Sequence, residues 1–157
     1  MNTSYERTST GTQEWLTPPY ILKELGEFDL DPCSPINRPY DTAKNHYNIN
    51  DNGLILNWYG RVFCNPPYND LNTWLEKCSK YKNCIALIFA RTDTKAFHNY
   101  IFNSADALFC IEGRLSFYHA DGKKGGTAGA PSVLISYNKE NSIVLEKCNL
   151  KGKYIKL

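Results

Sequence analysis

Val62-Phe63-Cys64-Asn65-Pro66-Pro67-Tyr68, followed by Asp70-Leu71-Asn72-Thr73-Trp74-Leu75-Glu76-Lys77-Cys78, reads as a short apolar strand, a stiff turn and a helix. Leu71, Trp74, Leu75 and Cys78 recur at helical spacing and give that helix one apolar stripe. Beyond it Cys84-Ile85-Ala86-Leu87-Ile88-Phe89-Ala90 is continuously apolar, the pattern of a parallel strand buried on both faces. Thr94 to Phe102 then reads as a helix with Ala96, Phe97, Tyr100 and Ile101 on one side, and Ala105 to Ile111 as another apolar strand. This alternation predicts an α/β fold, a three-layer sandwich around a mostly parallel sheet with right-handed crossovers. Past Gly113 the pattern changes to short strands without an intervening helix: Arg114 to Tyr118, Ser132 to Tyr137, and Ile143 to Lys147.

The turn between the first strand and helix carries the chemistry. In α/β proteins the loop that leaves a strand and enters a helix is where ligands and reacting groups sit. Two prolines fix φ near −65° and remove backbone donors, so residues 65–68 present acceptors. The amide oxygen of Asn65 and the carbonyl of Pro66 can together accept both hydrogens of one planar amino group. Tyr68 adds an aromatic face on which a ring can stack, worth roughly 1–3 kcal/mol per base in nucleic-acid complexes. An exocyclic amine on a nucleobase delocalises its lone pair into the ring and attacks poorly, so a site that holds and repolarises it meets a real chemical need. The alternative reading is a plain strand-ending turn, since Asn and Pro are turn residues in any fold.

Asn65-Pro66-Pro67-Tyr68 resembles the catalytic loop of the S-adenosylmethionine-dependent amino-methyltransferases, and its Asn looks like that of adenine N6 enzymes. Three more segments follow in the order of small phage-type DNA N6-adenine methyltransferases. Glu14-Trp15-Leu16-Thr17-Pro18-Pro19-Tyr20 is similar to their Thr-Pro segment. Phe28-Asp29-Leu30-Asp31-Pro32-Cys33-Ser34-Pro35 is similar to the strand that ends in an acidic residue beside the cofactor, although Ser34-Pro35 stands where a glycine-rich turn is expected. Asn50-Asp51-Asn52-Gly53-Leu54 resembles the acidic turn ahead of the tetrapeptide.

The resemblance covers about residues 13–118 and implies a Rossmann-like methyltransferase sandwich whose sheet ends in a C-terminal antiparallel hairpin. It implies methylation of adenine N6 in double-stranded DNA, by direct transfer from S-adenosylmethionine to a flipped base. Asn65, Pro66, Pro67 and Tyr68 are then the catalytic residues. Trp15, Thr17, Pro18, Asp29, Asp31, Pro32, Asp51 and Asn65 are the candidates for holding the cofactor. Read locally, Thr17-Pro18-Pro19 is also a helix start, Asp31-Pro32 a turn carboxylate, and Asp51-Asn52-Gly53 a hairpin turn. Glutamine amides in proteins and adenine in RNA are alternative substrates for the same turn. A methyltransferase-like module that grips nucleic acid without turnover is the alternative outside enzymology.

A length of 157 residues suits one domain, 13–157, behind a loose Ser/Thr/Asn-rich arm at 1–12, and is short for a methyltransferase with a separate target-recognition domain, so DNA sequence reading is expected from loops or from a partner subunit. The net charge of +2 is too small to argue for nucleic acid, so local cations matter more. Lys123 and Lys124 in a glycine-rich loop, Arg91 after the buried strand and Arg114 after Gly113 are the candidate DNA contacts; a solvated loop or a structural ion pair is the plainer alternative for each. Six cysteines without a Cys-x-x-Cys pair or suitable His spacing argue against a metal and read as reduced thiols of a cytoplasmic protein, the host cytoplasm if phage-encoded. Cys33, although it follows Pro32 as the nucleophile does in cytosine C5 enzymes, reads as a packing residue. No signal peptide or membrane-spanning run is expected, and a monomer and a homodimer are both compatible with the chain.

Overall fold

The computed structural model describes residues 15–157; the expected arm at 1–12 lies outside them. In chain order the elements are β1 (Trp15–Leu16), α1 (Pro19–Leu25), β2 (Leu30–Asp31), β3 (Asn45–His46) and β4 (Val62–Cys64). After a single 3-10 turn at Tyr68–Asp70 come α2 (Leu71–Tyr81), β5 (Cys84–Phe89) and α3 (Lys95–Phe97), the last continuing as a π-helical turn over His98–Phe102. The remainder is β6 (Ala107–Ile111), β7 (Ser116–His119), β8 (Lys124–Thr127), β9 (Ser132–Ser136), α4 (Lys139–Lys147) and β10 (Gly152–Lys156).

Seven strands form a mixed sheet in the order β10-β6-β9-β5-β4-β2-β3. The pairs β2–β3, β2–β4 and β4–β5 are parallel, whereas β9 runs antiparallel to both β5 and β6, and β10 antiparallel to β6. Five strands therefore point one way and only β9 and β10 oppose them. The expected C-terminal hairpin does not form, because β9 is inserted between β5 and β6 and β10 caps the edge beyond β6. A second, three-stranded sheet, β1-β7-β8, is antiparallel throughout.

Successive residues of a strand face opposite sides, and the buried sheet separates its apolar side chains accordingly. Val62, Cys64, Cys84, Ala86 and Ile88 pack with Trp74, Leu75 and Cys78 of α2 and with Ala96, Phe97 and Ile101. Phe63, Ile85, Leu87, Phe109 and Leu134 pack on the other face with Ile21 and Leu25 of α1 and Leu145 of α4. Every residue of β5 is buried, which matches its uninterrupted apolar reading. The stripe of α2 buries Trp74, Leu75 and Cys78, and the helix stops where Lys82 adopts φ 76° and its N–H reaches the carbonyl of Cys78.

One segment reverses its expected state. Ile143 to Lys147, with two β-branched residues in a row, reads as a strand but lies in α4. Asn138 caps that helix by accepting a hydrogen bond from the N–H of Asn141 at 2.8 Å, and Leu145 is driven fully into the core. Tertiary burial of one apolar side per turn outweighs the weak local preference of Ile143 and Val144.

Candidate active site

β2 and β4 are parallel neighbours, so the segments leaving their C-terminal ends emerge side by side. Between them opens a cleft of about 340 Å³. Pro32, Cys33, Ser34 and Pro35 after β2 form one wall, and Asn65 and Pro67 after β4 form the facing one. The loop carrying Asn48, Ile49, Asn52, Gly53 and Leu54 closes a third side. Trp15 from β1 and Trp74 from α2 complete it, with Asn69 and Asp70 at the rim. Glycine is obligatory at 53: a Cβ there would come within 1.9 Å of the Pro32 carbonyl oxygen, because the two loops touch backbone to backbone.

Asn65 is oriented by a residue from a distant segment. Its Nδ2 donates to Oγ1 of Thr17 at 3.2 Å, which leaves the amide oxygen as the acceptor still available among the described residues. Thr17 is buried, 1% exposed, and its own carbonyl accepts from the Tyr40 hydroxyl at 2.7 Å. It is thus a support for Asn65 and not a lining residue of the cleft. Nor is it a helix cap: Pro18, also buried, occupies that position ahead of α1. Pro66 is buried within the turn, while Tyr68 is 40% exposed and stacks on Phe89 at the end of β5, ring centroids 4.7 Å apart and planes at 22°. The turn therefore presents an exposed aromatic face that β5 holds from behind.

The acidic candidates are placed differently from the expectation. Asp29 stands at the N-terminal end of β2, away from the cleft, where its Oδ2 accepts from the Arg61 N–H at 2.7 Å and its Oδ1 lies 4.0 Å from the Lys44 ammonium. Asp31 ends β2 on the correct side but turns inward. Its carboxylate accepts from the N–H of Cys33 at 3.1 Å and from the Thr42 hydroxyl, and the residue is only 4% exposed. Burial pushes this carboxyl up to about 6, against the opposing pull of those two hydrogen bonds and of the Arg38 charge. Asp51 is exposed and closes its own turn, its Oδ2 accepting from the Asn48 N–H at 2.8 Å. The polar residues that line the cleft from this loop are the uncharged Asn48 and Asn52, the latter at φ 62°. Residue type and strand position singled out the carboxylates. Only the hydrogen bonding reveals that Asp31 turns inward, that Asp29 serves the start of its strand and that Asp51 closes its own turn.

Trp15 and Pro32 line the cleft. Trp15 also leans on His119 of β7, with ring centroids 4.6 Å apart. This contact, together with the β1–β7 pairing, ties the N-terminal edge of the site to the β7–β8 hairpin. Lys123 stands exposed in the hairpin's turn and Lys124 exposed at the start of β8. Arg114 is exposed between β6 and β7, and Arg91 is partly buried just after β5. The four cations thus lie on segments following β5 and β6 and at the tip of the added sheet; none lines the cleft itself.

All six cysteines are free thiols. Cys33 borders the cleft and packs against Cys64, their sulfurs 3.9 Å apart, and burial pushes its thiol up, away from the reactive thiolate. Among the described residues no cluster of three or more metal-ligating side chains occurs, and no helix is long and apolar enough to cross a membrane.

The model of the DNA N-6-adenine-methyltransferase (Dam) family matches residues 6–152 of the chain. Comparisons with curated proteins and with solved structures give no match.

Proposed function

The chain belongs to the DNA N-6-adenine-methyltransferase family, and from that premise we propose that it methylates adenine N6 in double-stranded DNA with S-adenosylmethionine as donor. The observation that carries the reading is the Thr17–Asn65 hydrogen bond. It orients the amide so that its oxygen is left to accept from an incoming amino group at the cleft. Five strands running one way, an antiparallel strand between β5 and β6, and helices on both faces support a three-layer, Rossmann-like methyltransferase sandwich spanning 13–157.

The cleft fits the cofactor. Its volume falls in the range of small-molecule sites, roughly 300–1,000 Å³. Trp15, Trp74, Ile49 and Leu54 offer apolar and aromatic surface for a purine, and Asn48 and Asn52, whose amide oxygens accept from the N–H groups of Asn50 and Leu54, offer amide N–H donors for its hydroxyls and ring nitrogens. Bound there, S-adenosylmethionine supplies an electrophilic methyl group on a sulfonium centre. Pro32 and Gly53, pressed backbone to backbone, hold the two loops that enclose it.

The target adenine leaves the stack at a cost of a few kcal/mol and rests on Tyr68, whose ring Phe89 braces. Asn65 Oδ1 and the Pro66 carbonyl would accept the two amino hydrogens and so localise the nitrogen lone pair for the methyl group; the S–CH3 bond would break as the N–CH3 bond forms, with S-adenosylhomocysteine released and one amino proton passed to water. Catalysis is then positioning together with preorganised dipoles. Arg91, Arg114, Lys123 and Lys124 contact phosphates around the site, in a salt-dependent manner. The enzyme works wherever its DNA is, the cytoplasm of a bacterial host if the chain is phage-encoded.

The test is transfer of labelled methyl from S-adenosylmethionine to unmethylated duplex DNA, followed by nucleoside analysis. Label in N6-methyladenine is the expected result. Label only in RNA or in a glutamine-containing peptide would move the substrate to one of those polymers, and cofactor binding without label in any polymer would overturn the reading as an enzyme.

A further inference from the structure

Lys77 lies on the face of α2 that looks toward the loop after β3, and its ammonium is committed to that loop. Nζ donates to the carbonyl oxygens of Gly53 at 2.9 Å, Leu54 at 3.0 Å and Leu56 at 2.5 Å. An ammonium has three protons, so all three donors serve one four-residue stretch of backbone, 53–56. The cation also stands 4.9 Å from the ring centroid of Trp58, and that indole N–H donates to the same Gly53 carbonyl at 2.8 Å. A lysine on a solvated helix face does none of this. Lys80, one turn on, is 73% exposed in its side chain and pairs with Glu76 on its own helix.

The consequence falls on the cleft. Gly53 and Leu54 line it, and Gly53 is pressed against Pro32, the lining residue of the opposite loop. Trp74, one turn before Lys77 on the same helix, lines the cleft too. The helix begins directly after the Asn65–Tyr68 turn. One rigid element thus links the turn assigned to the target amine with the loop assigned to the cofactor.

We propose that Lys77 is a positioning residue of the cofactor site, which staples the 53–56 loop in its binding-competent shape and touches neither substrate nor cofactor. This rests on the assignment of the cleft to S-adenosylmethionine. Without the staple, the Leu54 and Leu56 carbonyls lose their donor and Gly53 keeps only that of Trp58, and the loop must be ordered by the ligand at the moment of binding. Lysine suits the role where arginine does not, because the guanidinium donors are spread in a plane and cannot converge on three carbonyls from one nitrogen.

The deciding experiment titrates S-adenosylhomocysteine into wild type, Lys77→Met and the control Lys80→Met, with amide hydrogen exchange across residues 53–56 in each. Lys77→Met should bind at least tenfold more weakly and exchange faster in that loop, with KM for the cofactor raised far more than kcat is lowered. Lys80→Met should match wild type in both. Equal affinity for wild type and Lys77→Met would overturn the staple while leaving the cleft assignment intact. No binding by wild type would instead remove the cleft assignment. Should Lys77→Met fail to fold, Lys77→Arg retains the cation over Trp58 and carries the same two readings. It is expected to fall between wild type and the tenfold loss, and wild-type affinity with unchanged exchange would overturn the proposal.

Discussion

Asn65 and Asp31 occupy matching places, one at the C-terminal end of β4 and one at the end of its parallel neighbour β2, yet the fold uses them in opposite ways. Asn65 gives one hydrogen bond to Thr17 and keeps its oxygen for the cleft. Asp31 gives its whole carboxylate to Cys33 and Thr42 within its own loop and is shut away from water. A polar side chain at a strand end is therefore not by itself a ligand contact. What its remaining lone pairs face decides whether it does chemistry or builds the wall beside it.

The largest effect should come from the Asn65 side of this pair. Asn65→Ala removes a preorganised acceptor from the reacting centre, and kcat should fall by on the order of 10²–10³, while cofactor binding stays within about twofold. Single-turnover methyl transfer beside a cofactor titration measures both. Comparable losses in affinity and rate would mean that Asn65, like Asp31, mainly shapes the wall.

Asp31 should reveal itself through stability. Its carboxyl is raised from an ordinary 3.8 to about 6, so between those pH values the folded chain keeps a proton that the unfolded chain has lost. Stability must then decrease as pH rises through that window, by about 3 kcal/mol for a shift of this size at ~1.4 kcal/mol per unit. His46 contributes with the opposite sign. Burial lowers its pKa, and its neutral Nε2 accepts from the N–H groups of Thr42 and Ala43, so acid costs stability there. The difference between wild type and Asp31→Asn isolates the carboxyl. Denaturant midpoints at pH 4.5 and 7.5 should show the Asn variant gaining relative to wild type at the higher pH, and parallel profiles would show that Asp31 is not desolvated.

A smaller change sharpens the contrast from the other direction. Thr17→Val keeps the buried shape but leaves the Asn65 amide without its orienting acceptor. A lost hydrogen bond of about 1–1.5 kcal/mol corresponds to roughly a tenfold drop in kcat. Unchanged turnover in steady-state assays would show that the Asn65–Pro66-Pro67-Tyr68 turn is held by its prolines alone.

Much of the scaffold was legible because its signals are local. Val62–Cys64, the proline turn, the i, i+3, i+4, i+7 stripe of α2 and the unbroken apolar run of β5 each announce their state within a dozen residues. α4 was not, since the β-branched pair Ile143–Val144 resembles a strand until the Asn138 cap and the burial of Leu145 are seen. Strand order was hidden as well. Ser132–Ser136 reads as a strand in either setting, and nothing local says that it separates β5 from β6. Of the candidate residues read from motifs, Trp15, Pro32, Asn65 and Pro67 line the cleft, whereas Thr17 was recognisable only as a motif residue and lies behind it. Asn48 and Asn52 were hidden behind the more conspicuous Asp51, and Lys77 looked like any helix-surface lysine.

The amino-acid sequence by itself determined the stiff acceptor-bearing turn, the elements on either side of it and the chemistry those residue types favour, because φ restriction, hydrogen-bond inventory and apolar period are properties of short stretches. Tertiary structure alone decided which partners complete the site. The contacts of Asn65 with Thr17 and of Lys77 with the 53–56 loop span 48 and 21 to 24 residues, and the inward turn of Asp31 depends on a hydroxyl 11 residues away. Hydrogen bonds of that reach exist only once the sheet has brought the strand ends together.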